Sequence, residues 1–155
     1  VQFSKGIYYK PKVGVFGQKK LNANKVITKK YIQDDNNIKG YFSGAYLFNQ
    51  LGLTTQVPAN IVVVTNERPD NNNYDVKKLG ITLRKPKIKI NKDNYLYLQL
   101  FDVLINKDQI KIEADNKKEI IYKFIYDNNL TIENIFKYAN ITKNKKVVDE
   151  LYKLG

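Results

Sequence analysis

The stretch "GYFSGAYLFNQLGLTTQVPANIVVVTN", Gly40 to Asn66, holds no charged residue in a chain that is 27% charged. Gly40 opens a short helical unit in which Ser43 is placed as the N-cap, with Tyr46, Leu47 and Leu51 on one buried face. Gly52 stands where a left-handed C-cap belongs. Pro58 stops any continuation, and Ile61 to Thr65 follow as an apolar run without polar alternation, the pattern of a strand covered on both faces. A compact helix–turn–strand unit is expected here, with the rest of the chain packed around it.

Working outward, "VQFSKGIYYKP" (Val1 to Pro11) reads as two short antiparallel strands turning at Ser4 to Gly6. A ribbon of that size is marginal alone and must lean on something else. Val13 to Leu21 is a Gly- and Lys-rich connection. Asn22 is placed to cap a helix to about Gln33, with Ala23, Val26, Ile27 and Tyr31 at helical spacing, and Asp34 to Asn37 end it. Beyond the central unit, Asp70 to Asn73 form a polar loop. "GITLRKPKIKI" (Gly80 to Ile90) then supplies two alternating pieces, Ile81/Leu83 and Ile88/Ile90, bent or put at an edge by Pro86. Tyr95 to Ile105 is apolar on nearly all sides and reads as the central core helix. Lys117 to Tyr126, Thr131 to Tyr138 and Lys145 to Leu154 are shorter amphipathic helices, the second capped by Thr131 and stapled by Leu130 on Ile135. This order predicts an α+β fold: a small mixed β-sheet flanked by helices and preceded by a β-ribbon. The core is expected to gather Leu47, Leu51, Val62, Val64, Leu98 and Phe101.

The 155 residues suit one domain with one sizeable core, and 43% hydrophobic content suits folding rather than disorder. Lys and Arg outnumber Asp and Glu 27 to 15, a net charge of +12 that biases encounters toward polyanions. Nucleic acid, an acidic protein and an anionic membrane all satisfy that bias, as does a generally basic surface with no partner. Cysteine and histidine are absent, which removes disulfides, thiol nucleophiles and every histidine-dependent triad. No signal-peptide pattern and no apolar run of membrane-spanning length is present, so a cytoplasmic location is expected. The chain opens at Val1 and has no methionine, which suggests a fragment.

No catalytic or metal-ligating constellation is expected. Asp34, Asp35, Glu67, Asp70, Asp102, Glu113 and Asp115 lack acid/base or metal spacing. Pro69-Asp70 matches the start of a restriction-nuclease signature but lacks a clear downstream Glu-x-Lys. The glycines of the central unit are not followed by the Lys-Ser/Thr of a phosphate loop. The basic segments are the better candidates. Val76 to Lys92 holds seven Lys/Arg and no acid. On an alternating strand Lys85, Lys87 and Lys89, with Arg84 beside them, line one face that contacts phosphates or an acidic protein, or else protects an edge strand. Near the amino end Lys5, Lys10, Lys12, Lys19 and Lys20 sit close to Tyr8 and Tyr9, a composition that suits contact with a nucleic-acid backbone.

"GYFSGAYLFNQLGLTTQVPANIVVVTNERP" resembles the AbiEi-type antitoxins, the antitoxin and transcriptional-regulator half of bacterial type IV toxin–antitoxin (abortive infection) systems, and is most similar to a short branch of that group. The matching residues are Gly40, Tyr41, Ser43 and Gly44, then Leu51 to Pro58, then Ile61 to Asn66 with Arg68; Phe42 replaces the usual isoleucine. Phe3 to Lys12 is similar to the family's wing of a winged helix-turn-helix, and Tyr97 to Leu104 to its helix after the basic strands. The resemblance implies a remnant wing at 1–12 and an antitoxin domain at 13–155. It implies a non-enzymatic protein without cofactor that opposes a nucleotidyltransferase-like toxin, with or without direct contact, and that, with its full amino-terminal domain, represses its own promoter by binding DNA at that end. The recognition helices that should precede the wing are not in this sequence, and winged-helix readout needs one in the major groove. Two other classes stand beside this reading: an autonomous basic nucleic-acid-binding protein and a restriction-nuclease-like enzyme.

Overall fold

The computed structural model of the protein describes residues 2–4, 7–8, 25–67, 74–107, 110, 112–113 and 115–154. At the amino end Gln2–Ser4 (β1) and Ile7–Tyr8 (β2) form the expected antiparallel ribbon, with Gln2 opposite Tyr8 and Ser4 opposite Ile7. The expected connection over 13–21 and the Asn22 cap lie outside the described residues. Helix is present from Lys25, and its final turn, Thr28–Ile32, is π-helical. Ile27 and Tyr31 are buried as helical spacing requires, whereas Val26 is exposed. The acidic-amide run that was expected only to end this helix makes a second tight hairpin, Gln33–Asp34 (β3) with Asn37–Ile38 (β4). Asp35 takes φ of 55° in its turn, a left-handed conformation that Asp tolerates better than most residues.

Among the described residues four strands make the main sheet in the order β5-β6-β8-β7: Gly40–Ser43 (β5), Ile61–Thr65 (β6), Tyr74–Val76 (β7) and Ile81–Arg84 (β8). The β6/β8 pair is parallel and the other two pairs are antiparallel, so the sheet is mixed and the fold is α+β, as expected. One element differs. Gly40 begins a strand rather than the helix, because this backbone is squeezed between two neighbours. A Cβ on Gly40 would lie 2.2 Å from the Tyr31 carbonyl oxygen and 2.7 Å from that of Val64. Only glycine lets β5 lie against β6 and the π turn at once. The helix follows as Gly44–Gln50 (α1), and Gly52 closes it at φ of 82°, as the sequence requires.

The central strand β6 is covered on both faces. Val63 joins Ile27, Tyr31, Ile81 and Leu83 in a small cluster beneath the π turn. Val64 points the other way, into the main core with Leu47, Phe48, Leu98 and Phe101. That core is completed by Tyr95–Asn106 (α2), Lys117–Asp127 (α3), Ile132–Ile141 (α4) and Lys145–Leu154 (α5). Of the expected core, Leu51 packs only partly buried against this cluster and Val62 is half-buried in neither. Phe48, fully buried, was not expected there. Thr131 caps α4 through its hydroxyl, which accepts from the Asn134 backbone N–H at 3.2 Å.

Two stability measurements check this packing. Phe101→Ala should cost about 3–5 kcal/mol in denaturant unfolding, the range for large core aromatics; a loss under about 1 kcal/mol would mean that α2 presents another face. Gly40→Ala should destabilise more than Gly52→Ala. The first methyl meets two carbonyl oxygens, whereas the second meets open space and bears only left-handed strain of about 1–2 kcal/mol.

Candidate functional site

The residues of the central unit turn out to be fasteners. Thr65 donates its hydroxyl to the Tyr31 carbonyl at 2.7 Å. Asn66 pairs with Ile90 as a neighbouring strand would: its Nδ2 donates to the Ile90 carbonyl and its Oδ1 accepts the Ile90 N–H, both at 2.8 Å. In the turn after α1, Asn49 Nδ2 donates to the Gln56 carbonyl at 3.0 Å. Glu113, for which the sequence suggested no role, accepts from the Thr55 N–H at 2.7 Å and the Thr55 hydroxyl at 2.6 Å.

Asn66 also explains what becomes of the lysine row. The strand expected over Ile88 to Ile90 does not form: residues 85–91 follow β8 as an irregular arm. Pro86 has no N–H to offer a ladder. The arm is pinned instead by the Asn66 amide and by Asn94, whose Nδ2 donates to the Lys89 carbonyl at 2.9 Å. Exposure still alternates, with Lys85, Lys87 and Lys89 outward and Ile90 buried. The row therefore does not protect an edge strand: β8 lies inside the sheet, and β5 and β7 are its edges. Lys85 and Lys87 make no side-chain hydrogen bond or ion pair among the described residues.

Arg84 behaves differently from the lysines. Tyr41, Val64 and Arg84 are register neighbours across β5, β6 and β8, facing α2. Above them Asp102, on α2, accepts from Arg84 Nη2 at 2.5 Å and from the Ser43 hydroxyl at 2.6 Å, and the buried Tyr41 lies in the same pocket lining. The Ser43 hydroxyl, expected to cap α1, is committed to this carboxylate instead. Burial pushes the Asp102 carboxyl above its ordinary pKa, and Arg84 chiefly opposes that rise. The Tyr41 hydroxyl is pushed well up by burial and by Asp102. Sequence spacing could not reveal this network, because Ser43 and Asp102 stand 59 residues apart.

A cleft of about 400 Å³ opens over this network, between the 85–87 arm, α2 and the turn joining α4 to α5. Val64, Leu98, Phe101 and Ile105 give it an apolar floor, with Pro86 at one side. Arg84, Lys85, Lys87 and Lys146 surround it with positive charge, Lys146 donating to the Ile105 carbonyl at 3.0 Å. Among the described residues Asp102 is the one carboxylate of its lining. Elsewhere Lys25, Lys29, Lys30 and Lys39 gather beside the π turn around Asp34 and Glu67, a second basic surface that charge patterning along the chain did not single out. Of the amino-terminal candidates, Lys5, Lys10, Lys12, Lys19 and Lys20 lie outside the described residues, and Tyr8 ends β2. Pro69-Asp70 also lies outside them. Among the described residues no three acidic side chains come together as a metal-binding group, and no helix is long and apolar enough to cross a membrane.

The Asp102 network carries a pH signature. Because the folded pKa of Asp102 is raised, its contribution favours folding at low pH and is lost as pH rises through that value. Asp102→Asn should remove that portion of the stability–pH profile. Arg84→Gln should raise the Asp102 pKa further in a carboxyl NMR titration and cost about 1.5–3 kcal/mol at neutral pH, the range for hydrogen bonds to charged groups. An unmoved Asp102 titration in Arg84→Gln would show that the pair is not coupled.

Comparison with known proteins adds a family and no more. No curated protein and no solved structure matches the chain. Residues 1–125 match DUF6088, a family of unknown function, and this span takes in the ribbon, the sheet, α2 and nearly all of α3. The chain belongs to the DUF6088 family.

Proposed function

We propose that this protein is the non-enzymatic antitoxin and regulator component of an AbiEi-like toxin–antitoxin system, acting in the cytoplasm. It would counteract a nucleotidyltransferase-like toxin and bind operator DNA at its amino-terminal end. The observation that carries the reading is the antiparallel pairing of Gln2–Ser4 with Ile7–Tyr8, the wing-like ribbon that the resemblance calls for, directly ahead of the Lys10, Lys12, Lys19 and Lys20 series. The central motif supports it from another side. Gly40, Ser43, Thr55, Thr65 and Asn66 all hold the scaffold together, which is how a binding domain without catalytic residues uses its signature. The net charge of +12 favours a polyanionic partner.

A second reading, an autonomous nucleic-acid binder, rests on the exposed Lys85, Lys87 and Lys89. DNA binding separates the two. Reversing Lys5, Lys10 and Lys12 to Glu should weaken association with duplex DNA from the protein's own promoter. The log–log salt slope should fall by about 0.9 for each phosphate that is no longer neutralised. Reversing Lys85, Lys87 and Lys89 should leave most of that affinity, and toxin neutralisation in cells, intact. The opposite ranking would move the assignment to the autonomous binder. If the protein does not relieve growth arrest by a nucleotidyltransferase encoded beside it, the antitoxin assignment is wrong. Metal-dependent cleavage of DNA or RNA would make it a nuclease.

A further inference from the structure

We infer that the cleft between the 85–87 arm, α2 and the α4–α5 turn is a binding site for a nucleoside phosphate. Four properties of the cleft lead there. Its volume of about 400 Å³ falls within the range of small-ligand pockets. Pro86 and Ile105, partly exposed over the buried Val64, Leu98 and Phe101, supply apolar walls from which a planar ring displaces water. Lys85 and Lys87 project from a pinned arm with no partner among the described residues, so their ammonium groups can take a phosphate without breaking an existing interaction. Asn106, partly exposed in the lining, likewise makes no side-chain hydrogen bond among the described residues, and its amide offers both a donor and an acceptor to a base edge.

The buried network beneath makes the site tolerable for an anion. An unpaired Asp102 would repel a phosphate a few ångströms away. Held by Arg84 at 2.5 Å, and further by the Ser43 hydroxyl, the carboxylate is neutralised, so the field in the cleft is that of the lysines. Phosphate alone would need only the lysines and a fatty acid only the apolar walls; the combination, with an unengaged amide in the same lining, fits a nucleotide. This site does not rest on the regulatory reading. It uses neither the ribbon nor a DNA duplex, and a protein that failed to bind its promoter could still hold a nucleotide here.

The test is calorimetric titration of the whole protein with the four ribonucleoside mono- and triphosphates, alongside adenosine, tripolyphosphate and decanoate, with backbone and methyl NMR to locate binding. At least one nucleotide should bind with Kd below about 1 mM. The shifted signals should include Val64, Leu98, Ile105 and Asn106. Lys85→Gln/Lys87→Gln, two exposed positions, should weaken it at least about tenfold, since one charge-assisted hydrogen bond carries roughly that factor. Asn106→Leu should alter the preference among bases while leaving tripolyphosphate binding as it was. The inference fails if no nucleotide binds below about 1 mM. It also fails if tripolyphosphate or decanoate binds as well as the best nucleotide, if the double variant binds unchanged, or if the shifts map to the lysines beside the π turn.

Discussion

A single carboxylate ties the layers of this protein together. Asp102 sits on the underside of α2 and receives Ser43 from the end of β5 and Arg84 from the end of β8. Two sheet strands and the helix that covers them are thereby set relative to one another at one point. A charge at that depth is costly unless paired and hydrogen-bonded, and here it is both. The raised Asp102 pKa shows that burial outweighs the pairing. The network therefore constrains geometry more than it adds stability, and what it fixes is the floor of the cleft.

The same logic runs through the polar residues of the central unit. Amides and hydroxyls stand in for backbone ladders wherever the sheet stops. Asn66 receives the irregular arm as a strand would, Thr65 holds the π turn, and Glu113 gathers the turn after α1. Buried backbone groups must find partners, and side chains supply them where strands end. An uncharged, amide-rich stretch in a lysine-rich protein is thus the material of a scaffold. Among the described residues, exposed charges gather on the arm and beside the π turn, where they face water and whatever anion approaches.

The basic surfaces divide by their partners. Arg84 is committed to Asp102 and serves the fold. Lys39 reaches Glu67 at 3.4 Å, and Lys107 reaches Glu150 at 2.5 Å, tying α5 to the end of α2. Lys85 and Lys87 have no such commitment among the described residues. In this protein a count of positive charge says little about function until each charge is matched with what neutralises it.

Much of the architecture could be read from the sequence because local patterns decided it. The apolar run Ile61 to Thr65, the left-handed glycine at 52, the largely apolar Tyr95 to Ile105 and the Thr131 cap each act within a few residues of themselves, and each element formed. The β-ribbon and the three closing helices were legible for the same reason. The errors came where a distant neighbour overrode the pattern. Gly40 reads as a helix opener but stands in a strand, because the Tyr31 and Val64 carbonyls leave room for nothing larger. Lys85 to Ile90 alternates like a strand but forms an arm, because Asn66 and Asn94 take its backbone groups. The candidate site was the least legible part. Arg84, Lys85 and Lys87 were named from charge alone, while Asp102, Ser43, Tyr41 and the cleft that they underlie depend on register between strands and a helix far apart in the chain. Periodicity carries information about which face a residue occupies; only tertiary packing decides which faces meet.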